Sequence, residues 1–259
     1  MDGVSSPSSS GDDDIERARE LIAAAQRVTV LTGAGVSTDS GIPDFRGPEG
    51  VWTKNPKAEL IWNVDNYRDD PEVRREAWQE RLDHPMFAAV PGRAHEALVE
   101  LERSGRLVAL LTQNIDELHQ KAGSSPDKVA ELHGSNHGTV CMGCGAISTM
   151  AEARDRVRAG EDDPRCTDCG GILKATTIMF GEMLDVDVLS RAREAALGCD
   201  LFLAIGTSLG VHPAAGLVDI ASMVGADVII VNAEPTPYDR VATVVLRGGI
   251  GDVLPAIVA

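Results

Sequence analysis

The chain of 259 residues carries 40 acidic and 24 basic side chains, a formal net charge of −16, which argues against a general affinity for nucleic acid and favours basic partners. With 43% apolar residues and a mean hydropathy of −0.06 it can bury one substantial core, so we expect a soluble globular protein of the cytoplasm. There is no run of 18 apolar residues and no signal-peptide pattern, so we expect neither a membrane span nor a leader.

The first 14 residues are mostly Ser, Gly, Pro and Asp, and this composition predicts a disordered tail. Apolar residues then recur at the spacing of a helix, at Ile15, Ala18, Leu21, Ile22 and Ala25. The acidic residues 12 to 14 precede this pattern, where the helix dipole favours negative charge. We therefore expect the fold to begin with a helix near Ile15.

A glycine-rich loop, GAGVSTDSGIPDFRG, occupies residues 33 to 47 directly after the apolar run at 28 to 31. Gly33 and Gly35 would let the backbone turn tightly and present N–H groups to an anion. Three hydroxyl side chains could add donors: Ser37, Thr38 and Ser40. The loop ends in Asp-Phe-Arg, a cluster that a simple chain reversal would not need. We predict a phosphate-binding loop, with an ordinary structural turn as the alternative.

Five further apolar runs are predicted to be buried strands, at residues 107 to 111, 128 to 132, 201 to 205, 227 to 231 and 243 to 246. Helix-like segments separate most of them, at residues 94 to 103, 186 to 197 and 214 to 223. This alternation predicts an α/β fold with a doubly wound parallel sheet. Ligands of such sheets bind at the carboxyl ends of the strands, where this chain has GAG, TQNID, HGS, GTS and NAE. We expect these five strand ends to form one site.

Two segments interrupt the alternation. Residues 48 to 90 contain all three Trp and a charged helical pattern, and residues 135 to 176 contain four of the five cysteines. Each segment is predicted to belong to a smaller module attached to the sheet. The Trp side chains are predicted to pack in the core or between the modules rather than to bind substrate.

The four cysteines form two Cys-x-x-Cys pairs separated by 21 residues, slightly more than in most zinc ribbons: Cys141, Cys144, Cys166 and Cys169. Four thiolates fill a tetrahedral Zn²⁺ site and leave no position for water, so the predicted zinc is structural. His133 and His137 as rival ligands, or two disulfides, are the alternatives. The fifth cysteine, Cys199, is predicted to be a small core residue.

In chain order, several motifs together resemble the sirtuin family of NAD-dependent protein deacylases: the loop at 33 to 47, TQNID at 112 to 116, HG at 133 to 134, the cysteine pairs, FGE at 180 to 182, GTSLGVHPAA at 206 to 215 and VNAEPTP at 231 to 237. The resemblance implies a Rossmann-like NAD-binding domain of residues 15–47, 91–134 and 177–259. It also implies a small domain built from a helical module, residues 48–90, and a zinc module, residues 135–176. The implied activity removes acyl groups from lysine side chains of proteins or peptides, with NAD as co-substrate.

The resemblance also implies roles for individual residues. Catalysis would depend on His133, as general base, and on Asn114. Cofactor binding would involve Gly33, Ala34, Gly35, Thr38, Asp44, Phe45, Arg46, Gln113, Asn114, Ile115, Asp116, Gly206, Thr207, Ser208, Asn232, Glu234 and Ile250. The acylated peptide would add a strand along Ile178, Phe180, Gly181 and Glu182.

The implied chemistry suits these residue types. Nicotinamide is positively charged only while bound to ribose, so a pocket near Asp116 would favour rupture of that bond. A neutral His133 would accept a proton relayed through the ribose hydroxyls, and an imidazole with a pKa of about 6.5 is largely neutral at pH 7. Acyl transfer to ADP-ribose would release nicotinamide and free lysine.

The acyl preference depends on Trp78-Gln-Glu-Arg81. This segment resembles the Tyr-x-x-Arg of sirtuins that prefer succinyl or malonyl lysine, where the Arg pairs with the acyl carboxylate. Arg81 is therefore a candidate substrate-binding residue, although the phenol is missing and a solvated Arg81 is the alternative. We predict deacetylation, with desuccinylation or demalonylation as the alternative.

Three other functions remain as alternatives. A dehydrogenase fingerprint requires a third glycine where Thr38 stands, so that function is disfavoured. Mono-ADP-ribosyl transfer would use the same cofactor and break the same bond. A non-enzymatic zinc-ribbon protein that senses NAD is the third alternative. The remaining histidines near these motifs, His95, His119 and His212, are predicted to be structural.

Overall fold

The computed structural model describes residues 11–45, 47, 50–55 and 58–258, with the side chains at 52, 58 and 59 not included. The first ten residues of the predicted tail therefore lie outside the described residues. Helix α1 (Asp12–Ala24) begins inside the predicted tail, so the predicted boundary at residue 14 is three residues too late. The three aspartates form the first turn of α1, where the unpaired N–H groups and the helix dipole favour negative charge.

The described residues contain nine strands: β1 (Val28–Thr32), β2 (Leu107–Thr112), β3 (Val129–Glu131), β4 (Gly138–Cys141), β5 (Ile147–Thr149), β6 (Leu173–Ala175), β7 (Leu201–Ile205), β8 (Asp227–Val231) and β9 (Val244–Leu246). Six of them form a parallel sheet in the order β3-β2-β1-β7-β8-β9. These six are the predicted strands, each within one residue at either end. The predicted doubly wound parallel sheet is confirmed.

The strand order places the carboxyl ends that carry the motifs side by side. The chain runs outward from β1 through β2 to β3, and then returns to the other side of β1 with β7. Thr32 at the end of β1 is in register with Thr112 of β2 and with Ile205 of β7. The loops that leave these strands therefore start at the same level, on both sides of the point where the strand order reverses, which is where such sheets bind ligands.

Helices cover both faces of the parallel sheet, because alternate residues of its strands direct apolar side chains to opposite faces. The remaining helices are α2 (Val51–Lys54), α3 (Ala58–Ile61), α4 (Val64–Asp69), α5 (Pro71–Leu82), α6 (Arg93–Arg103), α7 (Leu118–Ala122), α8 (Met150–Arg158), α9 (Val186–Leu197), α10 (Leu217–Met223) and α11 (Ile250–Val258). In β1, Val28 and Val30 pack in one core with α1, α6 and α11, whereas Leu31 packs in the other with α9 and α10. This alternation follows from the two-residue period of a strand. Both faces are apolar, as expected of a parallel sheet.

A second, antiparallel sheet has the strand order β5-β4-β6 and carries the first cysteine pair at the end of β4. Trp78 of α5 is fully buried in one cluster with Cys141, Met150 and Leu173. The hydroxyl of Tyr67 in α4 donates to the carbonyl of Leu173, 2.7 Å away. The helical segment thus packs on the cysteine-bearing segment, which supports the proposed small domain. Among the described helices, none has both the length and the apolarity to cross a membrane.

Candidate active site

A cavity of about 580 Å³ lies at the carboxyl ends of β1, β2, β3, β7 and β8. All five predicted strand-end motifs contribute to its wall: Gly33, Asn114, His133, Thr207 and Asn232. With the exceptions of Arg46 and Arg81, every residue predicted to bind cofactor or substrate also lines it. Arg46 lies outside the described residues. The structure therefore brings the predicted residues together in one place.

The glycines of the first loop serve close packing of two loops. The N–H groups of Gly33 and Gly35 donate to the carbonyls of Ile205, at 3.0 Å, and Gly206, at 2.9 Å. A Cβ on Gly33 would lie 2.7 Å from the Gly206 oxygen, and a Cβ on Gly206 would lie 2.6 Å from the nitrogen of Val36. These two amides are therefore not presented to an anion, contrary to the prediction. The glycines are needed because the loops after β1 and β7 touch each other.

A buried network joins the first loop to the end of β2. The Ser37 hydroxyl donates to Oδ2 of Asp116 at 2.7 Å and accepts from Nδ2 of Asn114 at 3.1 Å. The N–H of Leu118 donates to the other Asp116 oxygen at 2.9 Å. Because Ser37 is buried, its hydroxyl orients Asp116 and Asn114 and is not free for phosphate, again contrary to the prediction. The network fixes a carboxylate at the cavity wall.

Two threonines and two histidines form a buried group that is linked to Asn114 through Thr112. The Thr32 hydroxyl donates to that of Thr112, which accepts from the N–H of Asn114, and Nε2 of His119 lies 2.9 Å from the Thr32 hydroxyl. Burial lowers the pKa of His119 to about 3, and the neighbouring His95 adds to the effect. Both histidines are fully buried, with ring centroids 5.0 Å apart. Their position agrees with the structural role predicted for them.

His133 follows β3 and lines the cavity. Its Nδ1 lies 3.1 Å from the carbonyl oxygen of Gln113. A carbonyl only accepts, so the hydrogen of a neutral ring belongs on Nδ1, and Nε2 keeps a lone pair. Burial lowers the pKa of His133 below its usual value, and the hydrogen bond to Gln113 opposes this only in part. The ring is thus held as a neutral base at pH 7.

Further cofactor candidates at the ends of β2, β7 and β8 also line the cavity. The Gln113 amide donates to the Thr207 hydroxyl at 2.9 Å and so bridges the ends of β2 and β7. The Asn232 amide donates to the carbonyl of Glu234 at 2.8 Å, which orders the loop after β8. Ile250 begins α11 and approaches the first loop, since a Cβ on Gly35 would lie 3.1 Å from its Cδ1. Residues from several elements therefore line one cavity.

The segment predicted to pair with a peptide makes one backbone bridge, at Phe180, and then turns at Gly181, whose φ is 94°. Phe180 donates its N–H to the carbonyl of Trp62 at 2.8 Å and accepts from the N–H of Val64 at 3.0 Å. The N–H of Glu182 donates to the carbonyl of Met179 at 3.0 Å, so residues 179 to 182 form a turn. Within the described residues, no hydrogen bond engages the backbone of Gly181, which lines the cavity. Pairing of a peptide along this segment stays a prediction.

Arg81 does not line the cavity. Its guanidinium donates to the carbonyl of Ala77 at 2.8 Å and to Oδ1 of Asn136 at 3.3 Å, and it lies 5.7 Å from the rings of both Trp62 and Trp78. Its exposure of 5% also contradicts the solvated alternative. The structure thus places Arg81 in packing between the helical module and the cysteine-bearing segment.

Sequence reasoning missed several residues of the cavity wall, among them Trp62 and His212. Trp62, predicted to pack, lines the cavity and meets Phe45 edge to face at 6.3 Å between centroids. His212, predicted to be structural, lines it too. For His212 the signal was available, because GVHPAA follows the end of β7. For Trp62 no local pattern distinguishes a wall residue from a core residue.

The cysteine cluster has the geometry of a zinc site. The four Sγ atoms lie within 4.8 Å of one another, with Cys141 to Cys169 at 3.5 Å and Cys144 to Cys166 at 3.7 Å. A tetrahedral site with Zn–S bonds of about 2.3 Å has S–S distances of about 3.8 Å. Disulfides, at about 2.05 Å, do not match these distances.

The surroundings of the sulfur atoms also fit a thiolate-bound metal. The N–H of Gly143 donates to Sγ of Cys141 at 3.3 Å, and that of Gly171 donates to Sγ of Cys169 at 3.4 Å. His133 and His137 hydrogen-bond to carbonyls of the TQNID segment, which argues against them as zinc ligands. The lone Cys199 is buried in the sheet core, as predicted.

Comparisons with known proteins agree with this site. Residues 33–213 match the Sir2 family. An NAD-dependent protein deacetylase 2 of Streptomyces coelicolor is 54% identical over 89% of this chain and 95% of that protein. An NAD-dependent protein deacylase 2 of Archaeoglobus fulgidus is 43% identical over 95% of this chain and 96% of that protein.

Solved structures show the same fold. A structure from work on the mechanism and regulation of Sir2 enzymes superposes with a TM-score of 0.87 and 42% identity, covering 96% of this chain and 97% of that one. A structure of Sir2Tm bound to a propionylated peptide gives 0.84 and 33% identity, covering 93% and 95% of the two chains. The chain described here belongs to the Sir2 family, the sirtuins.

Proposed function

We propose that this chain is an NAD-dependent protein-lysine deacylase that acts chiefly as a deacetylase, transferring the acyl group to ADP-ribose and releasing nicotinamide and free lysine. The observation that carries the proposal is the placement of His133, whose Nδ1 faces the Gln113 carbonyl, in one cavity with the hydrogen-bonded carboxylate of Asp116. Relatives with 40% identity or more over most of the chain are named as deacetylases or deacylases.

The cavity fits NAD. Its lining includes the loops after β1, β7 and β8 and Ile250, which would form the walls for the adenosine and phosphate end. Asn114, Ile115 and Asp116 would lie around the nicotinamide and its ribose. When bound, NAD supplies an activated bond between nicotinamide and ribose, whose rupture exposes a carbon that accepts the acyl oxygen.

The chain's own residues would act through charge, orientation and proton transfer. Asp116, with both oxygens hydrogen-bonded, would present its carboxylate where a cationic nicotinamide would lie. Asn114, held by Ser37, would orient the ribose. His133 would accept a proton at Nε2, because Nδ1 carries its hydrogen toward the Gln113 carbonyl. Its lowered pKa keeps this base unprotonated at pH 7.

The acyl preference follows from Arg81. A succinyl or malonyl group would need a cationic partner at the cavity, and the guanidinium of Arg81 is occupied by Ala77 and Asn136 behind the wall. Small uncharged acyl groups need no such partner. We therefore propose that acetyl-lysine is turned over faster than succinyl-lysine or malonyl-lysine.

The four cysteines would hold one Zn²⁺ in a closed site without a position for water, so the metal would stabilise the small domain and take no part in the reaction. Thiolate ligands persist where cysteines stay reduced, which supports action in the cytoplasm. Partners would be proteins or peptides with acylated lysines, and no specific nucleic acid is expected.

The test uses purified protein, NAD and peptides that carry acetyl, propionyl, succinyl or malonyl lysine. We expect nicotinamide release and loss of the acyl group, fastest for acetyl, and a loss of at least about a hundredfold in His133→Ala. His137→Ala, a histidine outside the cavity wall, is the matched control and should lose less than about tenfold. Equal turnover by His133→Ala and wild type would contradict the proposal.

A further inference from the structure

Lys174 is a buried lysine that the reaction described above does not use. It lies in β6, its residue is 7% exposed, and its Nζ has three acceptors. These are the carbonyl of Thr177 at 2.8 Å, Oε2 of Glu182 at 3.0 Å and the carbonyl of Ala175 at 3.2 Å. A buried ammonium is tolerated only when its donors are satisfied, and here all three can be.

The carboxylate of Glu182 hydrogen-bonds within the same cluster. Its Oε2 accepts from the N–H of Met179 at 2.8 Å as well as from Lys174, and the N–H of Glu182 donates to the carbonyl of Met179 at 3.0 Å. This carboxylate thus closes a loop across residues 177 to 182 and ties that loop to Lys174. The predicted pairing of Glu182 with a peptide concerns its backbone and stays a prediction.

The loop that Lys174 closes, residues 177 to 182, contains the segment predicted to pair with a peptide. Its other attachments are the N–H of Ile178, which donates to the carbonyl of His133 at 2.8 Å, and the backbone pairing of Phe180 with Trp62. Gly181 lies between Phe180 and Glu182, so its position depends on attachments on both sides. The side toward Glu182 is held by Lys174.

Lys174 is itself held by the cysteine-bearing sheet. It is opposite Val140 in the pairing of β6 with β4, next to the pair of Leu173 with Cys141. The paired backbone of β6 therefore positions the Lys174 ammonium group, which in turn hydrogen-bonds to Thr177 and Glu182 of the segment predicted to bind the peptide.

We propose that Lys174 is a positioning residue for acyl-peptide binding, which acts through its ion pair with Glu182 to hold the turn of residues 179 to 182, and with it Ile178 and Phe180, in the conformation that a peptide meets at the cavity. This inference rests on the proposed function, because it takes the segment as the peptide site. The ion pair links peptide affinity to the fold of the cysteine-bearing sheet, whereas the hydrogen bonds described for the loops after β1, β7 and β8 do not involve Lys174 or Glu182.

The test compares Lys174→Met with Arg74→Met. Arg74 is a matched control, because it is similarly buried, pairs with one carboxylate, Asp163, and donates to two backbone carbonyls, while none of these bonds reaches residues 178 to 182. We expect Lys174→Met to raise KM for an acetyl-lysine peptide roughly tenfold and KM for NAD less than about twofold. Arg74→Met should lower thermal stability without this split. Lys174→Arg, which can still pair with Glu182, should recover most of the peptide affinity.

Hydrogen exchange at the amides of Ile178, Met179 and Phe180 gives a readout that needs no activity. It should be faster in Lys174→Met, and in Glu182→Gln if the first variant does not fold, but unchanged in Arg74→Met. An unchanged peptide KM in a folded Lys174→Met, or an equal rise of both KM values, would overturn the inference. If wild-type protein removes no acyl group at all, the proposed function fails, while unaltered exchange would separately refute the role of Lys174.

Discussion

The Ser37 hydroxyl donates a 2.7 Å hydrogen bond to Oδ2 of Asp116, and the same hydroxyl accepts from the amide of Asn114. One buried oxygen thereby orients the two polar side chains that the proposed mechanism places beside the nicotinamide ribose. Ser37 belongs to the loop after β1, and the other two follow β2. The active geometry therefore depends on contact between neighbouring strand ends, which the parallel register of β1 and β2 provides.

Ser37→Ala should reduce kcat/KM by roughly 10- to 100-fold, because it leaves an Asp116 oxygen and the Asn114 amide without their partner at a cost of about 1–3 kcal/mol. Steady-state kinetics with an acetyl-lysine peptide provide the measurement. Ser40→Ala is the control, since the Ser40 hydroxyl is buried without a hydrogen-bond partner in the described structure. Similar losses in both variants would argue against a role for the Ser37 network.

Gly206→Ala should destabilise the protein more than Gly225→Ala. Both glycines have positive φ, 62° and 82°, so both variants should lose about 1–2 kcal/mol from backbone strain. Only at position 206 does the new Cβ also collide with backbone, 2.6 Å from the nitrogen of Val36, whereas nothing lies within 4 Å at position 225. Denaturant unfolding should show an additional loss of about 1–3 kcal/mol for Gly206→Ala. Equal losses would mean that the two loops are not in close contact.

Stability should fall as the pH is lowered from 7.5 to 5.5, partly because of His119. The pKa of this histidine is about 3 in the folded protein, against an ordinary value of 6.5, so below pH 6.5 the unfolded chain binds a proton that the folded chain does not. The contribution is fully present above pH 6.5 and is lost progressively toward pH 3. It amounts to about 1.4 kcal/mol between pH 7.5 and 5.5. His119→Gln should show a correspondingly weaker pH dependence in urea unfolding, and an unchanged dependence would contradict this assignment.

Metal removal should unfold the cysteine-bearing sheet. We expect one zinc per chain by elemental analysis, and a drop in Tm of roughly 10 °C or more after chelation or in Cys144→Ser. Cys199→Ala is the control, because Cys199 lies in the sheet core, outside the cluster. It should keep its zinc. Full stability after complete removal of the metal would refute a structural zinc.

Sequence predicted the sheet well because its strands are buried on both faces. The apolar runs at Leu201–Ile205 and Asp227–Val231 match β7 and β8 residue for residue, and α9 also has the predicted bounds. The convergence of five strand ends follows from topology alone, since parallel strands end at one edge of the sheet. Motif spacing was likewise sufficient for the cysteine cluster.

Side-chain partners were harder to predict. The N–H groups of Gly33 and Gly35 donate to carbonyls at the end of β7 and in the loop after it, and the Ser37 hydroxyl donates to Asp116. Arg81 faces Asn136 instead of the cavity. Each of these hydrogen bonds joins residues that are at least 50 positions apart in the chain. Local sequence patterns carry no information about such distant partners.

The identity of the reaction products tests the central claim most directly. One turnover mixture of wild-type protein, NAD and an acetyl-lysine peptide should be resolved by mass spectrometry. We predict equal amounts of nicotinamide, deacetylated peptide and O-acetyl-ADP-ribose. His133→Ala should form each of these three products at no more than about one hundredth of that amount. Nicotinamide accompanied by ADP-ribose attached to protein, with the acetyl group still on the peptide, would contradict the account.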